Sequence, residues 1–245
     1  MRVAILQPSY LPWLGYFEQI HHADLFIFLN DVQYTKSDWR NRNRIKTPRG
    51  IAWITVPVRR QGLQQRICET CINHATPWPE RHVNLLREHY RKAPHFEAVM
   101  DVIGPHLAAR PLLLQDLAIG LVLDLAKFMG IPPNTVRSSD LGVRETDRNG
   151  RLIAMCRRVG ATELYESAAG RAYMDVARFA AAGVRVVFQD YRHPTYRQFF
   201  GPFVSHLSVV DLLFHYGPDA RQVVISGHGE HPDIAVHRAQ PAERM

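Results

Sequence analysis

Residues 3–31 read "VAILQPSYLPWLGYFEQIHHADLFIFLND". The run VAILQ (3–7) is short, unbroken and apolar, which predicts a buried strand, and LFIFLN (25–30) predicts a second. Between them WLGYFEQIHHA (13–23) has the apolar spacing of a helix. Strand, helix and strand in this rhythm predict parallel pairing, with the helix as the crossover. The joining loop is unusual. From Gln7 to Phe17 it carries Tyr10, Trp13, Tyr16 and Phe17, two prolines and Gly15. A plain connection does not need so much large apolar surface, so the loop either caps a core or faces a ligand.

The same alternation continues outward. GIAWITVPV (50–58) reads as a strand closed by Pro57, and CETCINHA as a segment that pairs at an edge. Helices are expected over about 79–92 and about 111–129, the second stopped by Gly130 and the Pro132–Pro133 pair. NTVRSSDLG reads as strand then turn, DRNGRLIAMCRRVG as a helix ending at Gly160, and TELYES as a strand. AYMDVARFAAAG is a helix ending at Gly183, and VRVVFQDY a strand. This pattern predicts an α/β fold with a mostly parallel, Rossmann-like sheet, helices on both faces, and a helical middle and C-terminal part. One domain over 1–220, with a helical insertion at about 77–130, precedes a tail (221–245). The Gly/His/Pro-rich end of that tail predicts a loose terminus. Ligands in such sheets sit beyond the carboxyl ends of the strands. Gln7, Asn30, Asp31, Ser167, Gln189 and Asp190 each end a predicted strand.

Composition narrows the function classes. With 245 residues, 46% hydrophobic and 22% charged, the chain matches a soluble protein able to bury a sizeable core. The longest apolar candidate, PLLLQDLAIGLVLDLAKF, is broken by Gln115, Asp116 and Asp124, so no membrane span is expected. The N-terminus lacks a secretory signal pattern, which predicts a full-length cytosolic chain. A net charge of +7 points to an anionic partner without specifying it. Three cysteines build no disulfide framework. Cys68 and Cys71 form a lone CxxC with His74 and His82 downstream, but no second CxxC exists and the segment reads as a strand, so no metal site is assigned.

Three segments carry candidate chemistry. In the first loop, Gly15 at the helix start gives the layout of nucleotidylyltransferase-like domains, whose H-x-G-H motif opens the first helix. Trp13 and Tyr16 then stand where the histidines would be, which disfavours plain nucleotidyl transfer. The second segment, QYTKSDWRNRNRIK (33–46), alternates Arg40, Arg42, Arg44 and Lys46 with Asn41, Asn43 and Ile45. An extended chain shows one cationic and one mainly amide face, and a guanidinium array grips phosphate or carboxylate. Trp39 offers a stacking surface. Asp31, at the end of the second strand, is a candidate general base or ligand orienter, with Gln33 and Lys36 following it; its bland alternative is a salt bridge to the arginine run. In the third segment, YESAAGRAYMD (165–175), Gly170 and Arg171 precede a helix like a small anion cradle. Cys156, on an apolar stripe, is core, and His206 reads as a structural histidine. No nucleophile elbow, P-loop or GxGxxG occurs, and no cofactor is indicated.

The opening "QPSYLPWLGYFEQIHHADLFIFLNDVQYTKSDWRNRNRIKTPRGIAWITVPV" resembles that of WbqC-like proteins. "GATELYESAAGRAYMD", "VRVVFQDYRHPTYRQ" and "LSVVDLLFHYGP" resemble later blocks of that family, so the resemblance runs from residue 1 to about 220. Members often read Ser-Gly where this chain has YESAAG, and Glu166 adds a charge there that repels phosphate. The resemblance implies a cytosolic bacterial protein associated with lipopolysaccharide or other surface-polysaccharide biosynthesis. It supplies no catalytic roles.

The expected activity is transfer of an acyl, aminoacyl or related group from an anionic small-molecule donor, a nucleotide sugar or a phosphopantetheine-linked carrier. Arg40, Arg42, Arg44 and Lys46 would hold phosphate, with Lys36, Asn41, Asn43, Gly170 and Arg171 as further binding candidates. Tyr10, Trp13, Gly15 and Tyr16 would form the acceptor or base pocket, and Gln7, Asp31 and Gln33 would orient the reacting group. The alternative is a non-catalytic module that binds a polysaccharide precursor or a partner enzyme. Nucleic acid is disfavoured, because the positive charge is local and no RRM, KH or zinc-finger pattern occurs.

Overall fold

The computed structural model describes residues 1–59, 62 and 64–228. Strand β1 (Arg2–Leu6) lies at the centre of a parallel sheet, flanked by β2 (Leu25–Phe28) and β6 (Glu163–Glu166). Beyond β2 lies β5 (Thr135–Arg137), and beyond β6 lies β7 (Arg185–Phe188). Among the described residues the sheet is thus five-stranded, in the order β5-β2-β1-β6-β7. The expected α/β class and parallel sheet are observed.

Period-two alternation sorts the strands' side chains onto two faces. Ala4, Phe26 and Phe28 join one cluster with α1 (Leu14–His22), α2 (Trp78–Tyr90), α3 (Phe96–Ala108) and α4 (Leu114–Phe128), and with α7 (Val209–Tyr216) and α8 (Ala220–Ile225). Val3, Ile5 and Ile27 face the opposite way. They pack with Leu152, Met155 and Cys156 of α5 (Arg148–Arg158) and Phe179 of α6 (Val176–Ala181). Both faces are covered, as a parallel sheet requires.

Three features depart from the sequence pattern. The basic run and its successor form a separate antiparallel hairpin, β3 (Arg42–Thr47) and β4 (Gly50–Thr55), in register from Arg42↔Thr55 to Thr47↔Gly50. The turn needs Gly50, whose φ is +105°. Helix α3 lies between the two expected middle helices. Gly104 and Pro105 sit in its last turns and mask its periodicity. The helix expected from Ala172 starts only at Val176, because residues Ala168–Ala172 form a 3₁₀ turn and Asp175 caps α6 by accepting from the Arg178 amide. In the described part of the tail, α8 buries Val223 and Val224 and packs on α1. The Gly/His/Pro-rich end read from the sequence lies outside the described residues from 229 on.

Candidate functional site

The chain leaves β1 toward β2 on one side and returns to β6 on the other, so the sheet's switch point lies between β1 and β6. A crevice outside the carboxyl ends is expected there. A cleft of about 740 Å³ opens at this place, lined by Gln7 after β1, Asp31 and Gln33 after β2, and Glu166 and Ser167 at the end of β6. Its cations are Arg40 and, from the start of α5, Arg148 and Arg151.

The two carboxylates of the cleft sit in different surroundings. Asp31 is tied to Arg151 at 2.5 Å and accepts the Ser138 hydroxyl. Glu166 is buried, with oxygen Oε1 accepting from the Ser167 amide and hydroxyl (each 3.0 Å) and from the Tyr173 hydroxyl (3.3 Å). Burial raises the Glu166 carboxyl above the usual carboxylate range, and these hydrogen bonds and the charge of Arg148 offset part of the rise. Arg148 itself lies over the Tyr173 ring at 4.2 Å. A cleft carboxyl with a perturbed proton affinity beside guanidinium groups has the properties of an acid–base group.

A smaller pocket of about 220 Å³ adjoins the cleft. Its walls include Trp13, Tyr16, Trp39 and His206, and Leu6 and Arg40 line both cavities. Arg40 donates to Ser9 Oγ (2.9 Å) and Asp38 (3.3 Å), while its buried Nε has no hydrogen-bond partner. The pocket's shape is held by strained backbone. Leu11 and His206 adopt φ of 44° and 58°, which cost free energy for a residue with a Cβ unless the surroundings enforce them. Here β3 enforces both. Asn43 donates to the Tyr10 and Leu11 carbonyls (3.2 and 2.8 Å), and Arg44 donates to the His206 carbonyl (2.8 Å). Gly15 has a separate reason: a Cβ there would run into the six-membered ring of Trp13, which folds back over the start of α1. The other contacts of that indole are His206 at 5.0 Å and His193 at 6.1 Å, both stacked, and the edge of Tyr191.

The clamp is testable through stability. Asn43→Ala deletes two donors to buried carbonyls, and Leu11 keeps only the Ser208 hydroxyl. The expected cost is about 2 kcal/mol, or roughly 4–8 °C in Tm for a chain of this size. A thermal melt unchanged within 1 °C (about the error of such a measurement) would show that the loop does not depend on β3.

The model of the WbqC-like protein family matches residues 7–223. This chain belongs to the WbqC-like family. A Mycobacterium tuberculosis (strain ATCC 25618 / H37Rv) protein bearing the name "Uncharacterized protein Rv1507c" is 38% identical over 222 residues, which is 89% of this chain and 95% of that protein. No solved structure gives a significant match.

In this WbqC-like chain the residues singled out by sequence scatter. Gln7, Asp31, Gln33 and Arg40 share the cleft, and Trp13, Tyr16, Asn43 and Arg40 the pocket. Tyr16 also donates its hydroxyl to the Gln7 carbonyl at 3.1 Å. Tyr10 does not reach either cavity wall: it is fully buried and bonds His82 Nδ1 at 2.9 Å. The cationic run does not converge on one ligand, because neighbouring acceptors and rings capture its members. Arg42 covers Trp53 at 4.1 Å, Arg44 is held by His206, and buried Lys46 donates to Gln198 and the Gly201 and Pro202 carbonyls. Asn41 donates to the Val56 carbonyl at 2.7 Å, and Lys36 is exposed. Asp31 pairs with Arg151 of α5 and not with the arginine run. The Gly170 cradle is filled from within, since a Cβ at 170 would collide with Glu166; Arg171 lies over Phe188 at 4.6 Å.

Two strand-end groups are structural. Asn30 joins Gln115, Ser138 and Ser139, and Gln189 donates to the Gly15 carbonyl at 2.9 Å. Histidines 74 and 82 are also engaged away from the cysteines, with Pro111 and Tyr10 respectively. Among the described residues no three His, Cys, Asp or Glu side chains form a metal-ligand group, and no helix is long and apolar enough to cross a membrane. Sequence reasoning missed Arg148, Arg151 and, as a working group, Glu166. The last had a legible signal, because it stands next to Ser167 at the end of the predicted strand TELYES, and β6 ends on it.

Proposed function

We propose that this WbqC-like chain is a cytoplasmic transferase of lipopolysaccharide (O-antigen) or other surface-polysaccharide biosynthesis. Its donor is phosphorylated: a nucleotide-linked sugar or an acyl or aminoacyl carrier. One observation carries the reading, the convergence of Arg40, Arg148 and Arg151 with the buried Glu166 in the switch-point cleft. Guanidinium groups fixed by Asp31, Asp38 and Tyr173 hold phosphate and stabilise the charge that grows on the leaving group. In the step itself an acceptor hydroxyl or amine bonds to the donor carbon as the bond to the leaving group breaks. Glu166 takes the acceptor's proton. From a nucleotide sugar the diphosphate leaves with the electron pair and is held by the arginines. From a thioester the thiolate leaves with the pair and takes up the proton from Glu166. Asp31 is a positioning residue, acting through Arg151. No protein nucleophile is needed, since orientation and electrostatics supply much of such a rate.

Differential scanning fluorimetry with nucleotide sugars and coenzyme A tests this. A ligand at a hundred times its Kd adds about 2.7 kcal/mol, a shift of roughly 5–10 °C here. Arg40→Gln and Arg148→Ala should each remove most of it. If neither class of donor moves Tm at millimolar concentration, the phosphate-holding role is lost. The engagement of Asp31 by Arg151 and Ser138 favours a second reading, a non-catalytic module that binds a phosphorylated precursor. In that case the shift survives and no donor is consumed.

A further inference from the structure

The geometry points to the pocket of Trp13, Tyr16, Trp39 and His206 as the seat of a nucleobase, which makes the donor one that carries a nucleotide, a nucleotide sugar or a coenzyme A ester, and not a bare phosphopantetheine arm. This rests on the transferase reading and names the donor's class. The pocket's size comes first. At about 220 Å³ it is smaller than the roughly 300–1,000 Å³ of pockets for drug-sized ligands, so it suits one ring system. Its walls come second. Indole, phenol and imidazole rings surround the space, and Trp39 remains 41% exposed with its edge of the pocket open to solvent. Bases of any identity find stacking partners in such walls.

The junction is the third observation. Arg40 belongs to both cavities, and its buried Nε has no hydrogen-bond partner. A molecule with a planar ring at one end and phosphates at the other spans both, with this guanidinium where the two parts meet. A phosphopantetheine arm is a flexible run of methylenes and amides with no face to stack. It needs amide partners, and the pocket's own amide, Asn43, is already given to the Tyr10 and Leu11 carbonyls. The strained backbone at Leu11 and His206 also keeps the walls in place before binding, which reduces the ordering cost.

Isothermal titration of the whole chain with uridine diphosphate, adenosine diphosphate, pyrophosphate, 4′-phosphopantetheine and methyl hexopyranosides, at one salt concentration, tests the assignment. At least one nucleotide should bind about tenfold or more tightly than pyrophosphate. Trp39→Ala, a change at an exposed side chain, should erase that difference and leave pyrophosphate affinity unchanged. Trp53→Ala removes the neighbouring exposed indole, which packs on Trp39 at 5.4 Å but is not on the pocket wall, and should cost nucleotide affinity much less than Trp39→Ala does. Equal binding of nucleotides and pyrophosphate, insensitive to Trp39→Ala, overturns the base site while the cationic cleft stands. So does phosphopantetheine matching the nucleotides, or a hexopyranoside competing for the pocket. If no phosphorylated probe binds, the transferase reading falls with it.

Discussion

Stability should fall steeply as the pH drops from about 6.5 toward 4, with His82 and His193 as the main cause. His82 is buried against Tyr10 and Trp78, accepts the Tyr10 hydroxyl at Nδ1 and bonds the Thr55 backbone. His193 is buried beside Trp13 and His206, and its Nδ1 donates to the Pro194 carbonyl. Burial, and for His193 also the neighbouring His206, lowers both pKa values to about 4. The unfolded chain binds these protons near pH 6.5 and the folded chain only near 4, so stability is complete above the first value and is lost on the way to the second. Each ring contributes a loss of up to about 3 kcal/mol. Buried Asp211 and Glu166 work the other way, because their raised carboxyls take up protons in the folded state first. They offset part of the loss only at the acid end of the range.

The expected result is a Tm lower by roughly 10 °C at pH 4.5 than at pH 7. His82→Gln, neutral at every pH, should start less stable and show a shallower decline. A flat profile for the natural chain, or an unaltered slope in the variant, contradicts the account.

The fold was far more legible in the chain than the site, for a physical reason. Strand and helix periods are local, so VAILQ, LFIFLN, TELYES and VRVVFQDY gave themselves away within a few residues, and their parallel direction followed from the helices between them, while the strand order did not. A binding site is a long-range fact. Arg148 and Arg151 stand more than a hundred positions after Asp31; Arg151 meets it, and Arg148 lines the same cleft, only because α5 packs on one face of the sheet. The arginine run misled in a related way. Its alternation along β3 is real, and Asn41 and Asn43 do face opposite to Arg42 and Arg44. Yet in a hairpin those faces meet the chain's own carbonyls and indoles before any ligand. The pattern R-N-R-N-R encodes a clamp on two loops, with Arg40 alone of its cations lining the two cavities. His206, read from sequence as structural, stands on the pocket wall because its left-handed backbone and the Arg44 contact turn it there.

Glu166→Gln should lower turnover of whichever donor the thermal-shift screen selects by about 10²–10⁴-fold, equivalent to about 3–5 kcal/mol at the transition state. The amide keeps the size of the carboxyl and its acceptor oxygen for Ser167 and Tyr173, so the variant should fold. Because burial already disfavours the charge at this position, Tm should hold or rise. Donor affinity should be kept within a fewfold or improve, since the change removes a negative charge facing phosphate. Asp31→Asn should give a different pattern: weaker donor binding through a loosened Arg151, with a smaller effect on the chemical step. The pH profile separates a proton acceptor from a structural carboxyl. With a raised pKa, Glu166 becomes competent only above the ordinary carboxylate range, so kcat in the natural chain should rise with pH through that higher value. In Glu166→Gln the rise should vanish while the remaining activity persists. A variant within threefold of the natural turnover, or one that keeps the same pH limb, removes Glu166 from the chemistry and leaves the cleft as a binding site.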